Sequence, residues 1–188
     1  MRVLVACEYS GIVRDAFRFK KHDAYSCDFK RSIDMRYHIV GDVLEVMNNG
    51  TWDLMIAHPP CTHLSVSGAP WFKYKKEPQR KAVLFFMEFT RTKIPKIAIE
   101  NPVGVMSRAW RKPDQIIQPW QFGHDAQKTT CLWLKGLPKL KPTKIVKKKL
   151  YANQTPGGHN KLTPSKYRSA RRSKTFIGIA EAMAEQWG

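Results

Sequence analysis

The chain has 188 residues, 43% hydrophobic and 26% charged, a balance that suits a globular domain and excludes wholesale disorder. No apolar run approaches the roughly 18 residues of a membrane span, Glu8 interrupts the leading apolar run too early for a signal peptide, and Cys7, Cys27, Cys61 and Cys131 lack the paired spacing of a disulfide framework or zinc ribbon. Thirty-three Lys and Arg against 15 Asp and Glu give a formal charge of +18, so a polyanion is the expected partner and a membrane is not.

In chain order, residues 2–6 form a β-branched apolar run, predicted as a buried strand. Ser10-Gly11 opens a helix whose Ile12, Val13, Ala16 and Phe17 follow helical spacing. Short strands are predicted at 24–27, ending at Asp28, at 37–40, before Gly41-Asp42, and at 53–57, running into Pro59-Pro60. Pro78 suits the first turn of a helix that buries Ala82, Val83, Phe85, Phe86 and Phe89. A fifth strand at 94–99 ends at Glu100-Asn101-Pro102. This alternation predicts an α/β fold with helices on both faces of a largely parallel sheet. Ligands in such sheets bind beyond the carboxyl ends of the strands, which singles out residues 8–11, Asp28, Asp42, 58–63 and 100–104. Downstream, 131–134 is a further strand and 176–187 a closing helix with Ile179, Ala180, Met183, Ala184 and Trp187 as its apolar stripe.

Between them, residues 138–174 are rich in Lys, Pro, Gly, Ser and Thr and nearly empty of large aliphatics, the composition of a loop or arm. Fourteen basic residues lie between Lys128 and Lys174, among them Lys147, Lys148, Lys149, Arg168, Arg171 and Arg172, and no acid falls between Asp125 and Glu181. A solvating face normally mixes its signs, so nucleic acid is the favoured partner over a merely solubilising tract.

The loop His58-Pro59-Pro60-Cys61-Thr62-His63 follows the fourth strand. Two prolines fix two successive φ angles and stiffen the presentation of Cys61. A thiol there is either a nucleophile awaiting a lowered pKa or a small buried hydrophobe. Cys7, Cys27 and Cys131 sit in or beside apolar strands and read as structural. His58, Cys61 and His63 could be metal donors, but the spacing H-x-x-C-x-H fits no defensible zinc geometry and no metal is expected. Glu100 ends an apolar strand, where desolvation raises a carboxyl pKa and suits it to act as an acid. Its alternative is a surface residue capping the next turn.

Together these motifs resemble the DNA (cytosine-5)-methyltransferases. That family's Pro-Cys nucleophile corresponds to Pro60-Cys61, and its Glu-Asn-Val to Glu100-Asn101-Pro102-Val103 with one residue inserted. Its glycine-rich cofactor turn corresponds to Cys7-Glu8-Tyr9-Ser10-Gly11-Ile12-Val13-Arg14, where only Gly11 remains of three glycines. The resemblance implies a Rossmann-like fold and S-adenosylmethionine as cofactor. It puts Glu8, Tyr9, Ser10, Gly11, Asp28, Asp42, His58 and Pro59 around that cofactor, and Cys61, Glu100 and Asn101 at the chemistry. Lys128 and Thr130, in Gln127-Lys128-Thr129-Thr130-Cys131-Leu132, stand where the family has substrate-gripping arginines, and Phe176-Ile177-Gly178-Ile179-Ala180 resembles the segment that completes the cofactor pocket. The basic tract occupies the place of the family's target-recognition domain, within one catalytic unit spanning residues 1–188.

The implied chemistry is attack of Cys61 on carbon 6 of a flipped cytosine, with Glu100 at ring nitrogen 3 and methylation of carbon 5. Phosphate contacts without base contacts imply short or relaxed sequence preference. A helper protein could supply recognition, and the economy of length suits a phage gene product acting in the cytoplasm of a bacterium or infected cell. Three alternatives stay open: amino-methylation of adenine or cytosine, modification of RNA or free nucleotides, and a non-enzymatic basic nucleic-acid binder.

Overall fold

The computed structural model describes residues 1–165 and 168–188. Seven strands make one sheet: β1 (Arg2–Ala6), β2 (Asp23–Asp28), β3 (His38–Val40), β4 (Leu54–Ala57), β5 (Lys96–Asn101), β6 (Gln115–Ile117) and β7 (Thr130–Lys135). They lie in the order β3-β2-β1-β4-β5-β7-β6. Strands β1 to β5 pair in parallel, while β7 is antiparallel to both β5 and β6. The chain builds outward from β1 to β3 and then returns to place β4 on the other side of β1. The carboxyl ends of β1 and β4 therefore flank the point where the winding reverses, the usual ligand position in such sheets.

Six helices complete the fold: α1 (Ile12–Phe19), α2 (Val43–Asn49), α3 (Lys76–Arg91), α4 (Met106–Ala109), α5 (Arg168–Ser173) and α6 (Ile177–Trp187). Successive strand residues point to opposite faces, and both faces are buried. Val3, Val5, Leu54, Ile56 and Ala98 pack with Val13 and Phe17 of α1 and Met183 and Trp187 of α6. Leu4, Ala6, Met55, Ala57, Ile97 and Ile99 pack with Met47 of α2 and Phe86 and Phe89 of α3. Two-sided burial explains why the central strands read as continuous apolar runs rather than alternating ones.

The structure adds elements that the sequence pattern did not give. Helix α2 starts at Asp42, whose Oδ1 accepts the Leu44 amide at 2.8 Å as an N-cap. A 3-10 segment with an internal proline covers Val66–Tyr74, and β6 contributes only three residues.

Among the described residues the basic tract, expected as a loop or arm, is irregular from 138 to 165 and helical in α5, and its first part is stitched to the fold. Leu140 is buried, and its amide and carbonyl both bond the Gln115 side chain at 2.7 Å. Lys141 exchanges two similar bonds with Gln186, and Trp187 Nε1 donates to Pro138 O at 2.9 Å. Further on, Asn153 pairs with the Gln127 backbone in both directions. Lys166 lies outside the described residues. Among the described residues no helix is long and apolar enough to cross a membrane.

Candidate active site at the carboxyl ends of β4 and β5

The register of the central strands builds the site. The last parallel pair of β4 and β5 is Ala57 with Ile99, so His58 and Glu100 are the next residues in step. His58 Nδ1 lies 3.1 Å from Glu100 Oε2. By strand alternation both continue the row of Leu54, Ile56 and Ala98, the face covered by α1 and α6. They line a small pocket with Lys128, Thr130, Phe176, Ile179 and Met183. Thr130 arrives there because antiparallel β7 begins at the edge where β5 ends.

Asn101 continues the opposite row, that of Ile97 and Ile99. It is buried, and its Nδ2 donates to Pro59 O at 2.8 Å. Asn101 thus braces the proline loop from behind the sheet. Among the described residues its Oδ1 finds no partner, and neither does the buried Nε2 of His58.

Cys61 is exposed at the surface beyond the two prolines. Its carbonyl accepts the amides of Leu64 and Ser65 at 3.0 Å, closing a turn. That turn is zipped to the loop after β5: Val66 N donates to Val103 O at 3.0 Å and Val105 N to Leu64 O at 2.8 Å. Gly104 permits the approach, since a Cβ there would stand 1.9 Å from Leu64 O.

Cys61, Glu100, His58, Lys128 and Arg172 share one electrostatic neighbourhood. Desolvation and the charge of Glu100 push the Cys61 thiol up, while Lys128 and Arg172 pull it down less strongly. For Glu100, desolvation raises the carboxyl, but the His58 hydrogen bond and the charges of Lys128 and His58 outweigh it and hold the group below the usual carboxylate range. This reverses the expectation of a raised carboxyl at that strand end, and the reason is the pair of basic neighbours that burial alone does not reveal. Burial, then nearby acids, moves Cys27 and Cys131 up to about 11, and Cys7 rises further still.

The corner after β1 and β2 holds the other expected residues. Gly11 takes the left-handed conformation with φ 74°, and a Cβ would meet the Arg14 guanidinium. Glu8 is buried and accepts the Ser10 hydroxyl and the amides of Val13 and Arg14, so Glu8 and Ser10 are used in starting α1. Asp28 and Asp42 flank the same corner, where their charges reach Cys7 and Cys27. Each uses Oδ1 for a local amide, Asp28 for Lys30 and Asp42 for Leu44. Arg14, the last residue of the expected cofactor turn, is buried on the stripe of α1 that also holds Phe17, and it bonds Asp15, Ser26 Oγ and the Asp34 carbonyl.

The basic residues divide. Lys128 lines the pocket and its Nζ donates to the Lys174 carbonyl at 3.5 Å. Arg172 of α5 acts on Cys61, and Ser173 Oγ sits 3.5 Å from Tyr9 Oη. Helix α5, carrying Arg168 and the exposed Arg171, is therefore held beside the mouth of the site. Lys147, Lys148 and Lys149 are exposed and do not line the pocket, and Lys148 pairs with Asp125 at 3.8 Å. Among the described residues no cluster of three or more His, Cys, Asp or Glu could hold a metal ion.

No protein-family model matches the chain, and no curated protein sequence does. Among solved structures it resembles a protein named as a candidate DNA modification methyltransferase encoded within an E. coli prophage, with a TM-score of 0.50 and 13% identity over 78% of this chain. The aligned part covers 52% of that protein, so this chain spans about half its length. At that identity the likeness is one of fold: a mixed α/β sheet with helices, similar to that of a methyltransferase-type protein.

Proposed function

We propose that the chain transfers a methyl group from S-adenosylmethionine to carbon 5 of cytosine in DNA, on a Rossmann-like sheet. The observation that carries this reading is the convergence of Cys61 and Glu100, 39 positions apart in sequence, in one electrostatic neighbourhood at the ends of adjacent parallel strands. The described corner suits the cofactor. Asp28 and Asp42 offer carboxylate oxygens beside the winding reversal to a cationic ligand that carries a ribose diol, with Tyr9, His58 and Pro59 bordering it. Phe176, Ile179 and Met183 offer an apolar wall. Glu8, Ser10 and Gly11 shape the turn. When bound, the cofactor supplies an electrophilic methyl group.

The chain's own residues do the rest. Cys61 as thiolate adds to carbon 6 of the base, and Glu100 stabilises the charge that develops toward ring nitrogen 3. Asn101 holds the proline loop through Pro59. Lys128, Thr130 and the arginines Arg168, Arg171 and Arg172 grip the substrate strand. Lys147, Lys148 and Lys149 add sequence-independent attraction to phosphates, which offsets part of the few kcal/mol needed to flip a base.

The test uses a duplex carrying 5-fluorocytosine. Fluorine replaces the carbon-5 hydrogen, so the proton loss that releases the enzyme cannot occur and the adduct persists. A methylated, cofactor-dependent adduct is expected with the wild type and none with Cys61→Ala. Methylation on the exocyclic amine in nucleoside mass spectrometry, or normal turnover by Cys61→Ala, refutes the reading.

A further inference from the structure

The reading above needs a proton at Glu100 when the base is attacked, whereas the His58 hydrogen bond and the neighbouring positive charges favour its carboxylate form. The neighbour able to resolve this is His58. We propose that His58 is the proton-carrying positioning residue of this site, passing a proton from its Nδ1 to Glu100 as the thiolate attacks. The inference rests on the cytosine reading and deepens it.

The geometry is specific. His58 Nδ1 is 3.1 Å from Glu100 Oε2, with side-chain exposures of 9% and 17%. The other ring nitrogen, Nε2, is buried without a hydrogen-bond partner in a residue that lines the pocket. An unpartnered buried polar atom is costly to keep, so an imidazole left half-satisfied at a strand end calls for a use. The groups that bear on Glu100 are His58 from the loop after β4, Lys128 from the segment before β7, and Cys61 and Cys131, whose thiols feel its charge. Of these only His58 is hydrogen-bonded to it.

The protons balance without any added reagent. The protons are counted from the form that holds a thiol, a neutral imidazole and a carboxylate. The reactive form holds a thiolate and an imidazolium, the same proton count, with the thiol proton exchanged onto Nε2. The sulfur lone pair forms the bond to carbon 6, and the displaced ring electrons settle toward nitrogen 3. Nitrogen 3 takes a proton from Glu100, and Glu100 takes one from His58 Nδ1. When Cys61 leaves, the path runs backward. Methyl addition does not pass through the pair; the carbon-5 proton leaves to solvent water, and the electron pair of that bond restores the ring double bond as the thiolate departs.

The experiment measures the rate of adduct formation on the 5-fluorocytosine duplex as a function of pH, for the wild type and for His58→Asn, whose amide can still donate to Glu100. If His58 carries the proton, His58→Asn is slower by about 100-fold at neutral pH, the scale of general acid–base help. The two pH profiles then differ in shape, because only the wild type draws the proton from a side chain at this position, whereas His58→Asn must take it from water. Parallel profiles, or equal rates, overturn the role of His58. Should His58→Asn fail to fold, His58→Gln, which also keeps an amide donor, is measured in the same way, and a rate equal to the wild type overturns the proposal. Absence of any Cys61-linked adduct in the wild type overturns both this inference and the reading beneath it, whereas an adduct with parallel profiles overturns only this one.

Discussion

Gly104→Ala tests whether the two loops that carry Cys61 and Glu100 are locked together. A Cβ at that position would lie 1.9 Å from Leu64 O, 2.8 Å from Leu64 C and 3.2 Å from Ser65 Cα. All three are backbone atoms, so no side-chain rotamer relieves the clash and the loops must part. The bonds at risk are Val66 N to Val103 O and Val105 N to Leu64 O. At about 1 kcal/mol each, their loss is about 2 kcal/mol, within the 1–3 kcal/mol typical of overpacking. For a chain of this size that lowers Tm by about 4–8 °C. The parting also displaces Cys61 from Glu100, and a displacement of about 1 Å costs on the order of 100-fold in rate. Thermal unfolding and adduct formation on the fluorinated duplex read the two effects. Gly41→Ala is the matched control: a Cβ there meets nothing within 4 Å, and stability should stay within about 0.5 kcal/mol. If Gly104→Ala melts and reacts like Gly41→Ala, the loops do not touch as described, and the account of how the two side chains are brought together fails.

Three further outcomes are expected. Because Glu100 raises the Cys61 thiol and Lys128 lowers it, iodoacetamide at pH 7.5 should modify Cys61 on the order of threefold faster in Glu100→Gln and slower in Lys128→Gln; the same sign in both variants contradicts the electrostatics. Asn101→Ala removes the bond to Pro59 O, which should cost about 1 kcal/mol in urea unfolding, and an unchanged midpoint would mean that the brace carries no energy. Replacing Arg171 and Arg172 together by Ala should flatten the dependence of log K on log salt for duplex binding by about 1.8, the effect of two phosphate contacts; an unchanged slope takes α5 off the nucleic-acid path.

The sheet was legible because its strands are short apolar runs closed by turn residues, and burial on both faces keeps those runs free of polar interruptions. Strands β1, β4, β5 and β7 fall within about two residues of their expected positions. Helix α2 escaped notice because seven residues hold too few turns for a periodic signal, and because Asp42 was read for its charge when it also caps the helix. Three-residue β6, with a glutamine and a half-exposed isoleucine, has no pattern to find. The basic tract misled in another way. Its composition cannot build a core, which suggested an arm, but Gln115, Gln186, Asn153 and the indole of Trp187 fasten it through hydrogen bonds. Hydropathy is blind to amide side chains that bind a passing backbone.

The site divides in the same physical terms. Cys61 and Glu100 could be picked from the sequence because each follows an apolar strand, and strand ends are where such folds present chemistry. The pairing of His58 with Glu100 needed the register: Ala57 of β4 stands opposite Ile99 of β5, so the residues that follow them come side by side, and alternation sends both to one face. The same rule sends Asn101 to the other face, which makes it a brace for the loop although it is next to Glu100 in sequence. The charge state of Glu100 required one step more. Desolvation favours the neutral acid, His58 and Lys128 favour the carboxylate, and the balance is set by contacts among β4, β5 and the approach to β7. A strand-end carboxylate can therefore be recognised from sequence as a chemical group, but whether it waits as an acid or as a base is decided by which cations the sheet brings alongside it.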